Sequence, residues 1–161
     1  MSVKIYFAES QKDYEHARLL FLEYADSLGF SLCFQGFDEE LKNLQGKYSE
    51  PEGCILLAWE HSSCVGCVGL RPLSNTVCEM KRLYVKLAYR GIGLGRLLAE
   101  KILRFAKEKN YSKIMLDTLS SMESAQALYR SLGFFETEPY YNNPHPEVVF
   151  FEKTLDKASQ S

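Results

Sequence analysis

The sequence predicts one mixed α/β domain, and three observations predict it. A length of 161 residues suits a single core, since domains commonly run ~100–150 residues and a chain this long buries ~70% of its unfolded surface. Strand-like and helix-like segments follow one another as strand, helices, antiparallel strands, a strand–helix–strand unit and closing strands, which is the order of one layered sheet. A long amphipathic helix separates the fourth and fifth strands, the crossover that a parallel pair requires. Composition agrees: 46% hydrophobic and 25% charged residues are ordinary globular values and exclude a disordered or collagen-like chain. Nineteen Lys and Arg against 21 Asp and Glu leave a net charge of −2, so no nucleic-acid partner is expected. No apolar run approaches the ~20 residues that cross a bilayer, and the opening Met1-Ser2-Val3-Lys4 lacks a signal-peptide layout. The expectation is a cytoplasmic protein spanning 1–161 as one domain, away from membranes.

The elements follow from spacing. Val3 to Ala8 alternates as a first strand. Ser10 with Asp13 forms a capping box for a helix whose stripe is Tyr14, Ala17, Phe21, Tyr24 and Leu28, ended by Gly29. A short helix is expected from Asp38 to Leu44. Cys54–Trp59 and Cys64–Leu70 read as an antiparallel hairpin, and Val77–Val85 as the next strand. Leu94, Leu98, Ile102 and Phe105 share one face of a helix over Gly93–Asn110. Lys113–Leu119 is a short apolar strand, set parallel to Val77–Val85 by that crossover. Ser121–Leu132 is a helix stopped by Gly133, and Phe134–Tyr140 and Val148–Leu155 close the sheet. The tail from Asp156 to Ser161 is expected to fray.

Five cysteines, Cys33, Cys54, Cys64, Cys67 and Cys78, sit among apolar neighbours as reduced, buried thiols. Cys64-Val65-Gly66-Cys67 has redox spacing, but such a pair works at a helix start. In a strand, alternation sends the two thiols to opposite faces. No metal site is expected, because no second Cys or His pair has ligand spacing.

The most informative stretch is Arg90-Gly91-Ile92-Gly93-Leu94-Gly95-Arg96, between a strand and a helix. Glycines let backbone N–H groups approach a ligand, and a helix start adds unpaired donors and partial positive charge. The turn therefore suits a phosphate or pyrophosphate, with Arg90 and Arg96 as charge-assisted donors. A P-loop fails for want of Lys-Ser/Thr after the last glycine. A dinucleotide fingerprint fails at Arg96, although Asp117 keeps that rival open as a ribose ligand.

Three segments together resemble the GNAT superfamily of acetyltransferases: Cys78-Glu79-Met80-Lys81-Arg82-Leu83-Tyr84-Val85, the turn through Gly95, and Ala125-Gln126-Ala127-Leu128-Tyr129 running on to Gly133-Phe134. Arg90, Gly93 and Gly95 match that family's Q/R-x-x-G-x-G/A signature, and the resemblance covers about residues 54–155. It implies a mixed central sheet of about seven strands, helices on both faces, and a parallel strand pair that splays apart. It also implies acetyl-CoA as acyl donor, with pyrophosphate on the amides of Gly91, Ile92, Gly93, Leu94, Gly95 and Arg96. The pantetheine arm would pair like an extra strand against Leu83, Tyr84 and Val85. Relatives often carry an Asn near position 122 for that arm; this chain has Met122, with Ser121 or Ser124 as replacements.

Acetyl transfer to an amine needs a proton acceptor, oxyanion donors and a proton for the departing thiolate. The resemblance assigns the first to Glu79, through water, and the last to Tyr129; a backbone N–H near Val85 would serve the oxyanion. Read as residues alone, Glu79 is equally an exposed strand carboxylate paired with Lys81, and Tyr129 a core aromatic. Phe34, Phe37 and Tyr48 early, and Tyr140, Tyr141 and Asn143 late, border the acceptor side in such proteins, or simply close the core and stiffen a hairpin. The expected activity is transfer of acetyl from acetyl-CoA to a primary amine of a small acceptor rather than a protein. The alternative is a non-catalytic acyl-CoA-binding or regulatory module. Oligomeric state is not legible, a homodimer being one option.

Overall fold

Seven strands form one sheet in the order β1-β2-β3-β4-β5-β7-β6. The computed structural model describes residues 2–29 and 36–156; Cys33, Phe34 and the tail after Asp156 lie outside the described residues. The strands are β1 Lys4–Phe7, β2 Cys54–Glu60, β3 Ser63–Pro72, β4 Val77–Val85, β5 Lys113–Leu119, β6 Phe135–Thr137 and β7 Val148–Thr154. Helices α1 Gln11–Leu28, α2 Phe37–Lys42, α3 Leu44–Lys47, α4 Leu94–Glu108 and α5 Glu123–Ser131 flank them. The sheet is antiparallel throughout except for β4 and β5. Among the described residues, no helix is long and apolar enough to cross a membrane.

The expected caps are there. Ser10 Oγ accepts from the Asp13 N–H at 3.1 Å while the Asp13 carboxylate accepts from Ser10 N–H at 3.2 Å, and Gly29 ends α1 at φ 76°. Each donor would otherwise be an orphan of the first turn, so the box contributes ~1 kcal/mol.

The core has two layers. On one face α4 and α5 cover β2–β5 through Leu98, Ile102, Ile114, Leu116, Tyr129 and Phe151. On the other, α1–α3 cover the sheet with Phe21, Phe37, Leu44 and Tyr48 against Ile55, Leu57 and Cys67. Each large apolar side chain buried this way stabilises by ~1.5–3 kcal/mol. Tyr48 sits where it does because β3 has Gly69 opposite: a Cβ there would lie 2.8 Å from the Tyr48 ring.

Three expectations change. The single helix expected over 38–44 is two short ones, α2 and α3, divided at Asn43, whose side chain accepts from the Gly46 N–H at 3.2 Å. The strand expected over 134–140 stops at Thr137. Cys64 and Cys67 do not part to opposite faces. The β2–β3 register slips between Ala58 and Trp59, a bulge that offsets alternation, and both thiols pack on the α1 side. Cys54, Cys64, Cys67 and Cys78 are free, and burial pushes every one of these thiols up, Cys54 and Cys64 to about 12. Protonated thiols are neither nucleophiles nor ligands.

Candidate active site

β4 and β5 stay paired only through Val77↔Lys113, Cys78↔Ile114 and Glu79↔Met115. Beyond that point they separate. The gap is a cleft of about 420 Å³ walled by residues 80–85 of β4, 116–118 of β5, Tyr24 of α1 and Tyr129 of α5. A second irregularity holds the β4 wall in place. Its register with β3 jumps from Gly69↔Lys81 to Cys67↔Tyr84, and Arg82 stands at the bulge with φ 61°, a conformation that costs a non-glycine residue ~1–3 kcal/mol. What holds it there is buried. The Arg82 guanidinium makes a two-pronged pair with Glu40, Nε to Oε2 at 3.1 Å and Nη2 to Oε1 at 2.9 Å, and lies 5.2 Å from the Phe37 ring centroid.

Past β4, a 3-10 turn at Leu87–Tyr89 leads to the glycine turn and α4. Gly91 and Gly93 have φ 82° and 85°, and a Cβ built on either meets nothing within 4 Å. No side chain caps α4, whose first backbone bond at the cap is Leu97 N–H to Gly93 C=O. The amides of Leu94, Gly95 and Arg96 thus face open space that a side chain at 93 would fill, the geometry an anion's oxygens need. The turn fits a pyrophosphate. Its two arginines are placed differently from expectation. Arg90 lines the cleft, but Nε donates to the Val85 carbonyl at 2.7 Å and the guanidinium lies 5.4 Å from the Tyr84 centroid. Arg96 is engaged by the Ser131 hydroxyl on α5.

At the cleft's far wall, the Tyr129 ring packs on Phe134 and Phe151, at 5.8 and 6.3 Å between centroids. The residue also lines the cleft. Burial, then the neighbouring Tyr24 and Asp117, raise its pKa and keep its hydroxyl proton on. The ring is thus a core aromatic of a residue that also lines the cleft. Ser124 and Met122 also line the cleft, the latter 3.6 Å through sulfur from the Thr118 hydroxyl.

Glu79 keeps the expected partner, Lys81, but not the expected exposure. It is neither exposed nor on the cleft wall but 1% accessible, taking Arg71 Nε at 2.9 Å, Lys81 Nζ at 3.6 Å and the Tyr140 hydroxyl. Burial alone would raise its pKa; Lys81 and Arg71, with the hydrogen bonds from Tyr140 and Arg71, outweigh that and hold it low. A carboxylate so engaged is a poor proton acceptor. Tyr48, expected near the acceptor, is fully buried under α1, edge-on to Phe21 at 5.7 Å. Tyr140, Tyr141 and Asn143 are not among the cleft-lining residues, but Tyr141 reaches one that is, Asp117. Tyr140 reaches Glu79, Tyr141 donates to Asp117, and Asn143 Nδ2 donates to the Tyr141 oxygen at 2.8 Å. Both rings stand on Phe150, at 5.3 and 5.2 Å.

This sheet, parted after one short parallel run and followed by a glycine-led helix, has relatives. The Acetyltransferase (GNAT) family matches residues 11–134. The chain belongs to that family. An uncharacterized N-acetyltransferase of Schizosaccharomyces pombe is 40% identical over 97% of both chains. Among solved GNAT structures, an acetyltransferase from Staphylococcus aureus Mu50 superposes with a TM-score of 0.80 at 24% identity, covering 96% of this chain and 100% of that one. PaiA N-acetyltransferase from Thermoplasma acidophilum, solved in complex with coenzyme A, gives 0.71 at 18% identity over 96% and 99%. These likenesses show the fold. The GNAT membership makes the protein an acyltransferase.

Sequence reasoning passed over three cleft residues. In the sequence Tyr24 is one more member of the α1 stripe, Lys81 only the partner of Glu79, and Asp117 only a ribose ligand for the rival dinucleotide reading. The signal for all three is nonlocal: they meet only where β4 and β5 part.

Proposed function

We propose that the protein transfers acetyl from acetyl-CoA to the primary amine of a small acceptor. The observation that carries this reading is the continuity of the site. The cleft runs from Arg90, at the entry to the glycine turn, past the inner edge of β4 at Leu83–Val85 to Tyr129, and the open turn of Gly91 and Gly93 follows directly on Arg90. That order matches the donor's own: pyrophosphate, amide-bearing arm, thioester. The coenzyme A in the Thermoplasma relative supports the donor, and the modest volume of the cleft supports a small acceptor.

Acetyl-CoA at ~100-fold over its Kd should add ~2.7 kcal/mol, a rise of roughly 5–10 °C in melting temperature. Gly93→Val should abolish that rise. Its ligand-free melt registers separately the strain of a branched residue at φ 85°. A shift with NAD but none with acetyl-CoA would overturn the donor, and an undiminished acetyl-CoA shift in Gly93→Val would overturn the role of the turn.

A further inference from the structure

We propose that the acceptor carries a carboxylate as well as its amine, an amino acid rather than a bare amine, and that Lys81 is the residue that reads the carboxylate. The proposal rests on the acetyl-transfer reading above and names the acceptor class within it.

The charges of the cleft carry the argument. Lys81, Arg82 and Arg90 line it, against one carboxylate, Asp117. Two of these cations are committed. The Arg82 guanidinium makes its two-pronged pair with Glu40, and Arg90, at the entry to the glycine turn, donates through Nε to the Val85 carbonyl. Lys81 stands two residues beyond Glu79, the last β4 residue paired with β5, and so at the inner end of the opening. Its side chain is 4% exposed.

The carboxylate that pairs with Lys81 is shared. Glu79 accepts from Arg71 Nε on Oε1 and from the Tyr140 hydroxyl on Oε2. Lys81 Nζ lies 3.6 Å from that same Oε2, beyond the ~2.7–3.2 Å of a hydrogen bond. Glu79 thus answers the charge of Lys81 without taking a hydrogen bond from it. An ammonium carries three N–H donors on a compact head, and a carboxylate arriving from the cleft would accept from it where Glu79 does not.

The charge count selects what may arrive. Arg71, Lys81 and Arg82 stand against Glu40, Glu79 and Asp117, three of each sign, so this largely buried set is neutral. A bare amine enters as an ammonium and leaves one positive charge uncompensated; a diamine leaves two. An amino acid enters as a zwitterion and keeps the sum at zero. Uncompensated charge held away from water is costly, so the balance favours the zwitterion. The surroundings of Lys81 agree. Burial and then Arg82 lower its pKa, while Glu79 and Asp117 raise it, and a further carboxylate beside it would add to the side that keeps it charged.

The test uses the full chain, acetyl-CoA and matched acceptors that differ only in the carboxylate: lysine against cadaverine, ornithine against putrescine, histidine against histamine, phenylalanine against phenethylamine. Acetylated products are read by mass spectrometry and initial rates by the CoA thiol released. In each pair that is turned over, the wild type should favour the carboxylate-bearing member by ~10–100-fold in kcat/KM, the contribution of a hydrogen bond to a charged group. Lys81→Met should cut that preference to within threefold, the loss appearing in KM more than in kcat, and Lys81→Arg should keep part of it. The acetyl-CoA melting shift should stay as in wild type in both variants. A wild type that favours the decarboxylated member, or neither, overturns the proposal and leaves acetyl transfer standing, and that comparison needs no variant to fold. A Lys81→Met enzyme that keeps the wild-type preference also overturns it, as does loss of the acetyl-CoA shift in folded Lys81→Met, which would place Lys81 in the donor site. A wild type that binds acetyl-CoA but acetylates no member of any pair overturns the acceptor half of the proposed function, and this proposal with it.

Discussion

Replacing Glu40 by Gln removes one charge from the only contact that ties α2 to the β4 bulge by a two-pronged ion pair among the described residues. Both side chains of the pair are 2% exposed, so solvent cannot take over for the lost carboxylate. Arg82 stays charged: burial would lower its pKa, but the hydrogen bonds and charge of Glu40 raise it instead. Removing one partner of a buried ion pair typically costs ~3–5 kcal/mol. Gln keeps one acceptor oxygen near the guanidinium, which places the expected loss at the lower end, about 3 kcal/mol. For a domain of this size that is a drop of roughly 6–12 °C in melting temperature. Thermal and urea melts followed by circular dichroism would measure it. The double variant Glu40→Met with Arg82→Met should recover much of the loss, since an apolar replacement of a buried pair is often near neutral. A melting temperature for Glu40→Gln within ~2 °C of wild type would show that the pair, however well formed, contributes little, and that the bulge is held by packing alone.

Tyr129→Phe should lower kcat by ~10²–10⁴-fold and leave the melting temperature nearly unchanged, because the ring keeps its packing on Phe134 and Phe151; a wild-type kcat would remove Tyr129 from the chemistry. Glu79, ionised in the fold below its unfolded value of 4.5, contributes stability that is present above pH 4.5 and is lost as pH falls through the lower folded pKa. Urea melts from about pH 6 to 3 should therefore show an acid limb that flattens in Glu79→Gln; parallel limbs would show that acid acts elsewhere.

The sequence was most readable where a segment settles its own conformation. β4 and β5 begin and end where apolar spacing put them, and α1 keeps the Ser10–Asp13 box and the Gly29 stop. Their determinants lie within a few residues. The positions of Glu79 and Tyr48 were not readable in this way. Whether a strand carboxylate faces water depends on Arg71 across the sheet and Tyr140 sixty-one residues away, and whether a tyrosine borders a cleft depends on a glycine in another strand. The bulge at Arg82 is likewise set from outside its strand, by Glu40. Local pattern names the elements; the site is made where distant ones fail to pair.

A sheet parted in its middle carries two strand edges inside the molecule rather than at its rim. Exposed edges invite other chains to add on, and proteins usually blunt them with charge, proline or a covering loop. Here the blunting is geometric. The wedge between β4 and β5 narrows to the paired Glu79↔Met115 and is lined by Tyr24 and Tyr129 as well as by the two strands, so it suits a thin arm carrying amides better than a whole partner strand. The same unsatisfied backbone that would be a hazard on the outside becomes, when confined, a filter for the slenderness of what may pair with it.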